Sequence, residues 1–207
     1  MHADNQIPLP GKVIMDNIPQ ENDQLDFPTL VMHAGITVFG LAAWLTGEWA
    51  ADYKTLTYPG FELHRFLGIG LSLFILARLL YGVWGPAPVR WSNVIPLDLK
   101  AWFESMLADL QSLVKLQLPN RPRFWGIKGA VQLFGLLLFT WMALTGSLLY
   151  TYLHPGHRAH GLLHFLKEIH EVGNTLIPIF LAMHLSGVLL DAIWGQGKWR
   201  RVFFLEK

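Results

Sequence analysis

Residues Leu166–Gly195 read LKEIHEVGNTLIPIFLAMHLSGVLLDAIWG. Apolar side chains dominate the run, which is long enough for a membrane-crossing helix of about 20 residues. Inside it stand two imidazoles, His170 and His184, fourteen residues apart. At about 100° and 1.5 Å per residue, that spacing returns to within roughly 40° of the same helix face, about 21 Å further along. An ionisable side chain in a membrane segment is costly, so it usually faces other protein and has a task. Pro178, between the two, is expected to kink the helix.

Three other stretches share this character: Phe27–Trp49, Phe61–Gly85 and Trp125–Leu153. With residues 166–195 they make four apolar segments, bounded by Pro28, Pro59 and Pro86 and ending in belt-forming Trp49, Trp84, Trp125 and Trp194. The 207-residue chain is 52% hydrophobic and only 15% charged, against about 25% charged in soluble domains. The expected fold is an all-α integral membrane four-helix bundle. The net charge of +1 provides no electrostatic footprint for nucleic acid. The absence of cysteine excludes disulfides, thiolate-held iron–sulfur or zinc, and covalent c-type haem. Residues 1–26 are polar and acidic, without the basic start and apolar run of a cleavable leader.

Basic residues set the expected orientation. The second connection carries Arg90, Lys100, Lys115, Arg121 and Arg123, and the end of the chain carries Lys198, Arg200, Arg201 and Lys207. The positive-inside rule therefore places that connection, the tail 1–26 and the basic tail 196–207 in the cytoplasm, with the transmembrane domain at 27–195. Within the second connection, Leu99, Trp102, Phe103, Met106, Leu107, Leu110, Leu113 and Val114 recur at helical spacing. This predicts an additional amphipathic surface helix between helices two and three, lying on the cytoplasmic membrane face; docking of a partner uses the same pattern.

Four histidines fall inside the apolar segments: His33, His64, His170 and His184. With helices one and three running outward and two and four inward, His64 and His170 lie near the outer face, and His33 and His184 near the inner one. Two facing imidazoles at each of two depths suit bis-histidine ligation of two haem b groups, a six-coordinate arrangement fitted to electron transfer. Gly68, Gly187, Gly173 and Gly35 stand close in sequence to the ligands, where a flat macrocycle needs room. Arg78, fourteen residues after His64, is a candidate partner for the inner propionates, and Arg65 for the outer ones. The other readings are hydrogen bonding between helices and a metal or proton path. A path favours carboxylates at mid-membrane, whereas Glu62, Glu168, Glu171 and Asp191 all lie near segment ends.

The stretches HRFLGIGLSLFILARLLYGVWGPAP, from His64, and LKEIHEVGNTLIPIFLAMHLSGVLLDAIWGQGKWRRVF, from Leu166, carry a resemblance. With the histidine of helix one, they resemble the bacterial di-haem cytochrome b-561 family and the b-type cytochrome subunits of nickel-iron hydrogenases, over roughly residues 27–205. The resemblance implies a respiratory-chain membrane cytochrome with His33, His64, His170 and His184 as iron ligands. It implies electron transfer between the quinone pool and a periplasmic or membrane-associated redox protein, in a bacterial inner membrane. In helix three the chain has RPRFWGIKGAVQLFG where many members carry a histidine. A homodimer and a subunit of a larger complex are both open, as is a stand-alone quinone oxidoreductase using superoxide or another small oxidant. Finally, His154, His157, His160 and His164 recur at three- and four-residue steps. Exposed histidines are the simpler reading there, and a zinc or copper site the alternative.

Overall fold

The computed structural model describes residues 25–50, 59–115, 117, 125–154 and 159–193. These form α1 (Phe27–Leu45), α2 (Pro59–Trp84), α3 (Trp91–Val94), α4 (Leu99–Val114), α5 (Gly126–Tyr152), α6 (Leu162–Glu171) and α7 (Gly173–Ile193). There is no strand among the described residues. Both tails, 1–24 and 194–207, lie outside them and with them Trp194, as does His157.

Four helical spans are long and apolar enough to cross a membrane: α1, α2, α5 and the α6–α7 run. At most 33% of the residues of any span's apolar window are buried inside the protein. So much apolar surface facing outward is what a lipid solvent requires. Their limits follow the local chemistry. Pro28 sits in the first turn of α1, where no donor is lost. Pro59 opens α2 in the same way. Gly85 closes that helix on the Tyr81 carbonyl at 2.8 Å, and Pro86 stops it.

Two limits differ from the sequence reading. The first helix ends at Leu45, not Trp49, and the Thr46 hydroxyl folds back onto the Ala42 and Ala43 carbonyls. The chain then makes a 3₁₀ turn, Glu48–Ala50. The last segment begins at Leu162, not Leu166, and is interrupted at Val172. Pro178 lies inside α7, where it cannot donate to the Asn174 carbonyl.

α1 packs on α2, α2 on α5, and α5 on both α6 and α7, whereas α1 and α7 touch sparsely. The core lies midway along α2 and α5, where Leu71, Ile75, Phe139 and Ala143 are buried against Ile36, Phe39, Leu79 and Phe180. It separates the two ends of the bundle. At one end, Tyr81 of α2 and Thr29 of α1 both donate to the Asp26 carboxylate. At the same end Trp91 of α3 turns back, donating from Nε1 to the Leu79 carbonyl at 3.0 Å. A side chain at Gly82 would collide with that indole, so glycine is required there.

Candidate haem-binding site

The four membrane histidines assemble in pairs. His64 of α2 faces His170 of α6 with ring centroids 6.3 Å apart. His33 of α1 faces His184 of α7 with centroids 6.2 Å apart. Two imidazoles bound on opposite sides of a first-row metal, with metal–nitrogen distances of about 2.0–2.1 Å and each centroid about 1.1 Å beyond its nitrogen, lie about 6.3 Å apart. Both pairs fit that span.

The ring orientations of the first pair have identifiable causes. Because α1 ends at Leu45, the Ala43 carbonyl has no partner four residues on. His64 Nδ1 lies 2.8 Å from it. A carbonyl only accepts, so Nδ1 carries the proton and Nε2 is left with the lone pair. On the other side, His170 Nδ1 lies 2.8 Å from Thr145 Oγ1. That hydroxyl donates its own hydrogen to the Trp141 carbonyl at 2.8 Å, so it accepts from the imidazole. Both rings are thus held in the tautomer that offers Nε2 to a metal, the outer-sphere arrangement typical of ligating histidines.

Around this pair the helices leave an open-sided cleft of about 1250 Å³, mouth included. Gly68 and Gly146 line it, with Arg65 and Lys167. A side chain at Gly68 would meet nothing within 4 Å, while one at Gly146 would press on the His170 ring. Arg65 lies over the Tyr150 ring at 4.5 Å and pairs with Glu62 at 2.9 Å, and its buried Nε has no partner among the described residues. Lys167 pairs with Glu171.

The second pair is more open. His184 is half-buried and stacked on Phe180, with centroids 5.5 Å apart and planes 20° apart. His33 is exposed rather than enclosed in the core, on the helix that touches α7 sparsely. Gly187, one turn beyond His184, faces open space. Arg78 is only 8% exposed, its Nη1 has no hydrogen-bond partner among the described residues, and its guanidinium lies 5.8 Å from the Trp91 ring. A buried cation with an unsatisfied donor calls for an anion. A haem carries two carboxylates, so this arginine, like both imidazole spans, fits the group.

Not every sequence candidate takes the expected place. Gly35 and Gly173 do not open space beside a ligand; they admit the side chains of Phe74 and Met142. His154, His160 and His164 are exposed, with His164 Nδ1 3.8 Å from Glu168. Among the described residues, no three histidine, aspartate or glutamate side chains come together as a metal site. Sequence reasoning passed over Thr145, Ala43 and Lys167. Only Thr145 left a signal, as a hydroxyl residue within an apolar segment, a position where interhelical hydrogen bonds form.

Fold and site together describe a multi-pass membrane protein with facing imidazoles at two levels. A family model described as prokaryotic cytochrome b561 matches residues 24–204. The chain belongs to that family, and is therefore a membrane b-type cytochrome of electron transfer. Comparison with curated proteins and with solved structures finds no match.

Proposed function

We propose that this cytochrome holds two haem b groups, one between His64 and His170 and one between His33 and His184, and carries electrons across the membrane between the quinone pool and a redox protein. The observation that carries this reading is the pair of centroid separations, 6.2 and 6.3 Å. When bound, haem supplies a reversible one-electron change at its iron. The protein's part would be to hold each haem between two imidazoles, His64 with His170 and His33 with His184, which would leave no site for substrate at the metal. Ala43 and Thr145 keep the outer imidazoles in the binding tautomer. Arg78 neutralises carboxylate at the inner level, and Arg65 at the outer one. The apolar core between Leu71 and Phe180 excludes water from the path between the two levels.

In this reading the basic connection between α2 and α5 and the tails 1–26 and 196–207 face the cytoplasm of a prokaryotic cell, and residues 27–195 form one haem-binding unit. The test is a haem determination on purified protein together with a reduced-minus-oxidised spectrum. We expect about two haems per chain and a sharp reduced α-band without a high-spin component, as bis-histidine ligation requires. One haem per chain, or a carbon monoxide adduct formed readily by the reduced protein, would sink the proposal.

A further inference from the structure

α4 divides its surface into three arcs. The first faces the bundle, and its buried residues, Ser105 and Asp109, are polar. Ser105 Oγ accepts from the Gly126 amide at 3.0 Å, and the Asp109 carboxylate accepts from the Ile127 amide at 3.0 Å. These are first-turn amides of α5, which have no partner within their own helix. Asp109 is only 2% exposed, and a carboxylate there suits the positive end of the helix dipole. Gly126, at φ 66°, has no room for a side chain because the Asp109 carboxylate occupies it. α4 is therefore fastened to the turn at which α5 begins. Trp125, 40% exposed, stands beside that turn, as a residue of the membrane–water boundary does.

The second arc is apolar. Leu99, Phe103, Leu107, Leu110 and Val114 fall within about 80° of one another at 100° per residue. All five are between 47% and 83% exposed. The third arc, beyond this stripe, carries Lys100, Glu104, Gln111 and Lys115, all exposed. A helix on the surface of a soluble protein turns one apolar face to the core and a polar one to water. Three arcs suit a helix that meets protein, hydrocarbon and water along separate sides.

We infer that α4 is an interfacial helix that binds an anionic lipid surface. Its apolar stripe enters the acyl boundary and continues the lipid-facing surface of the bundle. Lys100 and Lys115 flank the stripe near its two ends, with Lys128 exposed on the first turn of α5, and Lys or Arg near a membrane surface is attracted to acidic headgroups. The Ser105–Asp109 clip holds the stripe at headgroup level, since it is made to the turn where α5 enters the bilayer.

The absence of cysteine makes the test direct. Single cysteines replace Phe103, Leu107, Glu104 or Gln111 in the full-length holoprotein, each carrying a spin label, in lipid nanodiscs. Helicity and the reduced spectrum check that each variant is folded. Labels at the Phe103→Cys and Leu107→Cys positions should collide several-fold more with dissolved oxygen than with a water-soluble nickel complex. Labels at Glu104→Cys and Gln111→Cys should show the reverse. Adding phosphatidylglycerol to phosphatidylcholine nanodiscs should deepen the stripe labels, and Lys100→Gln with Lys115→Gln should abolish that response. Stripe labels as open to the nickel complex as the polar-arc labels would overturn the inference. So would stripe labels open to it in nanodiscs yet shielded in native membranes, which would mean that a protein covers the stripe. No response to phosphatidylglycerol would overturn the anionic part.

Discussion

At the scale of single residues, Thr145 does the least visible work. It passes its own hydrogen to the Trp141 carbonyl and so presents an acceptor to His170 Nδ1. An imidazole that donates from its far nitrogen is a more basic ligand and favours the oxidised metal. Thr145→Val keeps the shape and removes the acceptor. A net hydrogen bond is worth about 0.5–1.5 kcal/mol. In the proposed reading, at about 59 mV per tenfold change for one electron, the midpoint potential of the outer centre should rise by up to about 60 mV, with the inner one unmoved. Redox titration of the variant checks this; equal shifts in both centres, or none, would show that the bond does not tune His170. Arg78 is the other residue to probe. Its buried Nη1 has no partner among the described residues. In the proposed reading, Arg78→Gln should weaken retention of the inner haem alone, seen as loss of one spectral component on dilution in detergent, whereas Arg78→Lys should retain more of it.

At the scale of elements, the two ends of each helix differ in how they are tied. The entry to α1 is held by Asp26, to which Thr29 and Tyr81 donate. Burial pushes the Asp26 carboxyl up, but the hydroxyls of Thr29 and Tyr81 outweigh it and hold it below the ordinary 3.8. A lowered native value means stability that is complete above 3.8 and is lost as pH falls through the lower folded value. Asp26→Asn should remove this part of the acid sensitivity. Thermal unfolding of the detergent-solubilised protein across the acid range checks it, the variant curve being flatter below that value. The elements also show where reading the sequence stops. Pro28, Pro59 and Pro86 marked helix limits because proline acts through its own backbone. The end of α1 at Leu45, where the chain passes into a 3₁₀ turn, left no such mark in the apolar spacing.

At the scale of the whole molecule, the two imidazole pairs lie at opposite ends of one bundle, separated by the packing of α2 on α5. In the proposed reading, the histidines act in pairs, so removal of either partner should have one spectral consequence. His64→Ala and His170→Ala should each lose the same redox centre, and His33→Ala and His184→Ala should each lose the other. Potentiometric titration of the four variants decides this; if His170→Ala and His33→Ala removed the same centre, the assignment would fail. The openness of the second pair bears on the same experiment. His33 is exposed and α1 touches α7 sparsely, so the inner centre should be lost first in harsh detergent.

The sequence by itself determined the number of membrane spans, most of their limits, and the existence of α4 as a helix. Those properties reside in local hydrophobicity, periodicity and proline, which act within a few residues of themselves. It also determined which histidines share a depth, because rise per residue and alternating direction are enough to compute height. Only the tertiary structure decided how close the partners come, which glycines open space and which merely admit a neighbour's ring, and what holds each imidazole in place. It also decided that α4 turns its polar side inward. Each of these depends on the rotation of one helix against another, and that rotation is set by side chains distant in the chain, through packing and hydrogen bonds that no single segment contains.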